Sequence, residues 1–359
     1  MDNKTIVMNA PKSDKPAASL GIQSDTAFTE TAKGLSNRDL TSIADLSVSE
    51  MAAILELAHA VKAAPEDFRH ALDAKQMVLI FEKASLRTRL TFEVAMNTVG
   101  GNALFIDQTK EPLGERESIP DVARNLERWM NIIVLRTYAH ETVVEMAADS
   151  KVPVINALSD LEHPCQAITD FFTLEEHFGS LEGLKFTYVG DGNNVCHSLM
   201  LAGALLGVHV TVATPKNFAP KLEIVHKAIE LAENTGATLT ITTDPAKACT
   251  GADTIYTDAV YSMGQEHEAA RRAPLFKPYQ VNDDLMKLAQ DSAVFMHCLP
   301  AHRGAEVTDS VLDGPQSIVF DQAENRMHAQ KAITLMLLGG AKRIPNSRNR
   351  SGLQARTKR

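Results

Sequence analysis

The chain has 359 residues, 44% of them apolar, with a formal charge of −9 and a pI near 5.8. That length exceeds one typical core and suffices for two ordinary domains. The acidic balance argues against nucleic acid or a membrane surface as partner, since both call for clustered positive charge, but leaves room for a small anion held by local arginines.

Cys165, Cys196, Cys249 and Cys298 form no C-x-x-C pair, and neither cysteines nor histidines show metal-ligand spacing. No metal, no disulfide and a reducing cytoplasm are therefore expected, and no cofactor is expected either. No run approaches the roughly 18 apolar residues of a membrane span. Residues 1–29 mix acidic residues with Lys, Ser and Pro and are expected to form a disordered leader, and the basic residues 341–359 a solvated tail.

In chain order, Ser47 and Glu50 fit a capping box opening a helix through Met51, Leu55 and Ala58. A strand, Met77 to Phe81, feeds a helix that begins near Ser85 and closes at Gly100-Gly101. There follow a strand at Ala103 to Asp107, a helix at Ser118 to Trp129, a strand at Ile132 to Leu135 and a helix from His140. The strand Pro153 to Leu158 and the helix His163 to Phe178, ended by Gly179, complete the first half.

Alternation restarts with strand Phe186 to Val189, helix Asn194 to Leu206, strand His209 to Ala213, helix Leu222 to Glu233 and strand Thr238 to Thr242. Strands at Thr254 to Thr257, Ala293 to His297 and Ser317 to Phe320, then a helix at Ala323 to Leu338, end the pattern. Such alternation predicts α/β architecture: two doubly wound parallel-sheet domains joined by interdomain helices. The expected domains are 30–162, with the final helix 323–340 packing back, and 163–322.

Open α/β sheets bind ligands beyond the carboxyl ends of their strands, where this chain's unusual polar residues fall. Ser85, Arg87 and Thr88 lie at a first helical turn, whose unpaired N–H groups and roughly half a positive charge favour an anion. Arg136, His163 and Gln166 follow the next strands, and Asn193, Asn194, Asp258 and Cys298 follow strands of the second half. Each alone also reads as a cap, a surface ion pair or a core residue. Together they point to phosphate and a polarised carbonyl.

SLRTR at Ser85 to Arg89 resembles the carbamoyl-phosphate signature of the aspartate/ornithine carbamoyltransferase family, with Leu86 in place of the usual Thr. LRTY at 135–138, HPCQ at 163–166, GDGNN at 190–194, DAVYSMG at 258–264, HCLP at 297–300 and AENR at 323–326 are similar to that family's further motifs. The DxxxSMG pattern resembles the ornithine branch.

The resemblance implies a carbamoyl-phosphate domain followed by an amino-acid domain, usually in trimers, and transfer of a carbamoyl group from carbamoyl phosphate to L-ornithine in arginine metabolism. It implies a carbamoyl-phosphate site of Ser85, Leu86 (backbone), Arg87, Thr88, Arg136, His163, Gln166 and Arg326, with Cys298 and Leu299 near the carbamoyl nitrogen. Of these, Arg87, Arg136, His163 and Cys298 carry the chemistry. The acceptor site would comprise Asn194, Asp258, Ser262 and Met263. Pro112 stands where many members have Gln or His, so a contact from a neighbouring subunit would need Lys110, Arg116 or a backbone group instead.

Other acceptors, N-acylornithine or putrescine, belong to the same chemistry. A nucleotide-dependent oxidoreductase is the rival from another class, resting on Gly190 and Gly192 alone, with Val195 where a third glycine would stand. A catalytically silent binding protein would be expected to have lost charged residues that this chain retains.

Overall fold

The computed structural model describes residues 6–9, 22, 24–260 and 268–344. In chain order the elements are β1 (Ile6–Asn9), α1 (Asp25–Leu35), α2 (Val48–Ala63), β2 (Gln76–Phe81), α3 (Leu86–Asn97), β3 (Asn102–Asp107), α4 (Ile119–Leu126), β4 (Ile132–Arg136), α5 (His140–Asp149), β5 (Val154–Leu158) and α6 (Pro164–Phe178). They continue with β6 (Lys185–Val189), α7 (Asn194–Leu205), β7 (His209–Ala213), α8 (Leu222–Ala232), β8 (Thr238–Thr242), α9 (Pro245–Cys249), β9 (Thr254–Thr257), α10 (Ala269–Phe276), α11 (Asp283–Met286), β10 (Val294–His297), α12 (Asp309–Leu312) and α13 (Val319–Leu337). Two compact units result: Ser19–Ser180 with Glu324–Arg359, the first, and Met1–Ala18 with Leu181–Ala323, the second.

The first unit is built on a four-stranded parallel sheet in the order β3-β2-β4-β5. Its central strand β2 buries every residue from Met77 to Phe81, as an unbroken apolar run in a parallel sheet requires. Val78, Ile80, Ile133, Leu135 and Val154 pack with Ile119, Ala123 and Leu126 of α4 and Val143 and Met146 of α5.

Helix α2 opens with the expected capping box, Ser47 accepting from the Glu50 N–H and Glu50 from the Ser47 N–H. It is buried from Met51 through Lys62, so its polar side chains find partners inside. His59 Nε2 pairs with Glu175 Oε2 at 2.9 Å, and Lys62 Nζ reaches Glu176 Oε2 and Asn325 Oδ1 at 2.7 Å each. These bonds tie α2, α6 and α13 together.

The second unit holds a six-stranded sheet in the order β1-β8-β7-β6-β9-β10, parallel except for β1 against β8. Val189, Ala213, Ile255 and Phe295 pack under residues from α9, α11 and α12. The loop after β6 passes close to the 218–220 backbone, with Gly192 N–H donating to Phe218 O at 2.8 Å. A Cβ at Gly192 would lie 2.4 Å from Pro220 N and 2.6 Å from Phe218 O, so only glycine fits the turn.

The two parallel-sheet α/β domains agree with the alternation, but four expectations differ. The 1–29 leader contains strand β1 and the start of α1, while its residues 1–5, 10–21 and 23 lie outside the described residues. The division falls after Ser180 rather than before His163, because α6 is buried against α2. Ser317 to Phe320 makes one bridge to Phe295 and then starts α13, a run of three apolar residues being equally compatible with a helix start. In the expected solvated tail, Arg343 is tied to Asp25 at 2.8 Å and Glu56 at 3.3 Å, and 345–359 lies outside the described residues. Among the described residues no helix is long and apolar enough to cross a membrane.

Candidate active site

In the first unit, β2 leads to β3 on one side and β4 leads to β5 on the other, so the strand order reverses between the carboxyl ends of β2 and β4. That is where an open α/β sheet holds its ligand. Glu82 and Lys83 follow β2, and Arg136 closes β4. The buried Glu82 carboxylate accepts from Leu113 N–H at 2.9 Å and Tyr138 N–H at 2.8 Å, fastening two loops to the end of the sheet. Lys83 is buried with its ammonium 4.6 Å from the centroid of the Tyr138 ring. Burial, then the nearby Arg136, lower its pKa from 10.5.

Ser85 caps α3, its side chain accepting from Thr88 N–H at 3.3 Å. Leu86 and Arg87 form the first turn. The Leu86 side chain is 72% exposed, so its contribution to a site there is its backbone N–H, and Arg87 is half-buried.

Thr88 is buried and accepts from Arg326 Nη2 at 2.7 Å, while Arg326 Nη1 donates to Gln166 Oε1. Gln166 Nε2 donates in turn to Asp170 Oδ1 at 2.7 Å. His163, immediately before the Pro164 that opens α6, is buried beside them. Burial, then Arg326, then Arg136 hold its pKa well below 6.5, so the imidazole is neutral at physiological pH and presents one N–H.

The second unit repeats the plan. Its strand order reverses between β6 and β9, and the residues after those strands meet. Asn193 caps α7, its Oδ1 accepting from Val195 and Cys196 N–H at 3.0 and 3.1 Å, and its Nδ2 donates to Asp258 Oδ2 at 2.8 Å. Asp258 Oδ1 accepts from Cys298 Sγ at 3.0 Å and from Ala259 N–H at 2.8 Å. Asp191 pairs with Arg272 at 2.6 Å, and Arg272 also holds Glu268 at 2.7 Å. Burial raises the Asp191 pKa from 3.8 even against that arginine.

Asp258, His297 and Cys298 place possible ligand atoms within 4.8 Å of one another, correcting the expectation that no such group gathers. Both imidazole nitrogens are already engaged. Nδ1 accepts from Leu299 N–H at 2.8 Å, so Nε2 carries the proton toward Glu306 Oε1 at 3.3 Å. His297 thereby braces the Leu299-Pro300 turn, with its cis peptide bond and the Leu299 φ of 58°.

Of the residues singled out from sequence, Ser85, Thr88, Arg136, His163, Gln166 and Arg326 are brought together in the first unit, with Leu86 and Arg87 on the same helical turn. Cys298 and Leu299 stand in the second unit, where Cys298 joins Asp258. Asn194 is the first residue of α7, half-buried, and its neighbour Asn193 is bonded to Asp258. Ser262 and Met263 lie outside the described residues.

Residues 38–176 match the family model described as aspartate/ornithine carbamoyltransferase, carbamoyl-P binding domain, and residues 182–337 match its Asp/Orn binding domain. The chain belongs to the aspartate/ornithine carbamoyltransferase family. The ornithine carbamoyltransferase of Pyrococcus horikoshii is 48% identical over 310 residues, covering 86% of this chain and 98% of that one. The enzyme of the same name from Synechocystis is 49% identical over 307 residues, with the same shares covered. The solved structure of ornithine carbamoyltransferase from Pyrococcus furiosus, 47% identical, superposes with a TM-score of 0.83 over 86% of this chain and 99% of its own.

Glu82, Asp170 and Glu306 escaped sequence reasoning. Asp170 had a readable signal, since it lies one turn after Gln166 on the same helix face. Glu306 had none, since its bonds to the His297 ring and the His302 N–H at 2.5 Å are made by loop closure.

The depressed His163 pKa carries a pH signature. Below about pH 6.5 the unfolded chain binds a proton at His163 that the folded chain refuses, so stability falls as pH drops from there toward the folded pKa. Denaturant titration from pH 7.5 to 5 should show a steeper loss for the wild type than for His163→Gln. Identical slopes would contradict a neutral buried imidazole.

Proposed function

We propose that this protein transfers the carbamoyl group from carbamoyl phosphate to the δ-amino group of L-ornithine, giving L-citrulline and phosphate, in the direction of arginine biosynthesis. The observation that carries the reading is the gathering of Arg136, His163, Arg326 and the α3 first turn at the switch point of the first sheet, in a family whose domain there is described as binding carbamoyl phosphate. The biosynthetic direction rests on the 47% identical anabolic ornithine carbamoyltransferase of Pyrococcus furiosus.

Ser85, the Leu86 N–H, Arg87, Thr88 and Arg326 hold phosphate oxygens, with Gln166 orienting Arg326. Thr88, Arg136 and the neutral His163 donate to the carbonyl oxygen. The uncharged δ-amine adds its lone pair to the carbonyl carbon, and those donors stabilise the resulting oxyanion. The carbon–oxygen bond to phosphate then breaks, and phosphate leaves with the bonding pair. Asp258 receives the α-ammonium of ornithine and Asn194 its α-carboxylate, with Ser262 and Met263 completing the acceptor side. No cofactor or metal enters the chemistry.

We also assign a homotrimer in the cytoplasm. Leu86, Leu90 and Val94 stand exposed one turn apart along α3, and Leu104 and Ile106 stand exposed on the edge strand β3. A stripe of this kind on an edge suits burial against further copies of the chain. None of the four cysteines is in a disulfide, which fits a reducing compartment.

A ureido-product assay with carbamoyl phosphate and parallel ornithine, N-acetylornithine, putrescine and aspartate should show turnover with ornithine above all. Preference for another acceptor would replace the reading. Arg87→Ala should weaken inhibition by inorganic phosphate and lower kcat/KM by about 100-fold or more. Asp258→Ala should raise the ornithine KM roughly 10- to 100-fold while phosphate still binds. Sedimentation should show a trimer that Leu90→Glu shifts toward smaller species; an unchanged trimer would remove α3 from the interface.

A further inference from the structure

We infer that Asp170 is a positioning residue for the anion side of the site, setting the direction of the Arg326 guanidinium through Gln166. The inference rests on the functional reading above. Asp170 and Gln166 are both fully buried on α6, one helical turn apart, and Arg326 is buried on α13.

Gln166 turns its amide NH2 toward Asp170, its Nε2 donating to Asp170 Oδ1 at 2.7 Å. That choice leaves the amide oxygen as the group facing Arg326 Nη1. The opposite orientation would set NH2 against a guanidinium and oxygen against a carboxylate. Asp170 thus decides which end of Gln166 Arg326 meets.

Two of the contacts that hold Arg326 are to Gln166 through Nη1 and to Thr88 Oγ1 through Nη2 at 2.7 Å. Two contacts from different helices define the plane of a rigid fork, and with it the direction in which its remaining N–H bonds point. The backbone of α13 does not depend on this chain of bonds. The neighbouring Asn325 Nδ2 donates to Thr173 Oγ1 at 3.0 Å and Glu176 Oε2 at 2.8 Å, and Lys62 Nζ donates to Asn325 Oδ1 at 2.7 Å. Removing Asp170 therefore disturbs a side-chain orientation while α13 stays anchored to α6 and α2.

The test compares Asp170→Ala, Asp170→Asn, Gln166→Ala and the Gln166→Ala/Asp170→Ala double variant, with Asp170→Leu in place of alanine should the latter not fold. The readouts are the KM for carbamoyl phosphate, the inhibition constant of inorganic phosphate, the KM for ornithine and kcat. Asp170→Ala should raise the first two about tenfold, the scale of one buried amide left without its acceptor, and leave the ornithine KM unchanged. Asp170→Asn, whose side-chain oxygen still accepts, should stay within about threefold of wild type on the same scale. In the Gln166→Ala background the aspartate substitution should add nothing, because a residue acting only through another has no effect once that other is gone.

A full-sized Asp170 effect in the Gln166→Ala background would overturn the inference, as would Asp170→Asn behaving like Asp170→Ala, or an unchanged KM in a folded Asp170→Ala. Phosphate affinity is measured without turnover. Failure of the wild type to form any ureido product would therefore refute the carbamoyl-transfer reading while leaving Asp170 testable.

Discussion

The first unit is governed by the crowding of basic side chains away from water. Lys83, Arg136, His163 and Arg326 are all buried, and the mutual repulsion is visible in the pKa directions. Burial and Arg136 lower Lys83, while burial, Arg326 and Arg136 lower His163. Opposed charges a few ångströms apart interact several-fold more strongly in such surroundings than in bulk water, and so do like charges. The surrounding fold supplies Glu82 to hold the strand-end loops, the neutral oxygens of Thr88 and Gln166 for Arg326, and the Tyr138 ring face for Lys83. A dianion among these groups would offset the repulsion, so the arrangement favours carbamoyl phosphate on the proposed reading.

The second unit has the opposite sign. Asp258 is held by three donors, Asn193, Cys298 and the Ala259 N–H, and the nearby Asp191 keeps its own cation in Arg272. One carboxylate is fixed and hydrogen-bonded and the other is paired with a cation, which is consistent with the proposed role of Asp258 toward the ornithine ammonium. Each sheet thus treats one charge type at its own switch point. In a chain with a pI near 5.8, the basic cluster of the first unit is thus buried, as the proposed anion site requires.

Much of this was legible in the sequence because parallel strands buried on both faces are near-continuous apolar runs, as β2 and β4 are, while β7 and β8 show the alternation of a half-buried strand. Local caps were legible too: Ser47 with Glu50, Ser85 at α3, and the left-handed Gly179 after α6. Strand order was not, and strand order is what brings Arg136 beside Lys83 and Asn193 beside Asp258. Ile6–Asn9 was missed because an edge strand of four residues in a polar leader is specified by its partner β8 more than by its own pattern. His297 read as the end of a core strand, and nothing local announces that its ring ties Leu299 to Glu306.

The position of Cys298 bears on where the reaction's proton goes. Its sulfur lies 3.0 Å from Asp258 Oδ1, a geometry in which the thiol donates to the carboxylate. A thiol donating to Asp258 helps hold that carboxylate in place. His163 is neutral and donates to the carbonyl on the proposed reading, so taking up a further proton there would put a third positive charge beside Arg136 and Arg326. The departing phosphate is left as the group whose basicity increases as its bond to carbon breaks. Proton transfer from the attacking nitrogen to that oxygen balances the step without a dedicated protein base. On the proposed reading, the protein's part in catalysis is the placement of donors and charges.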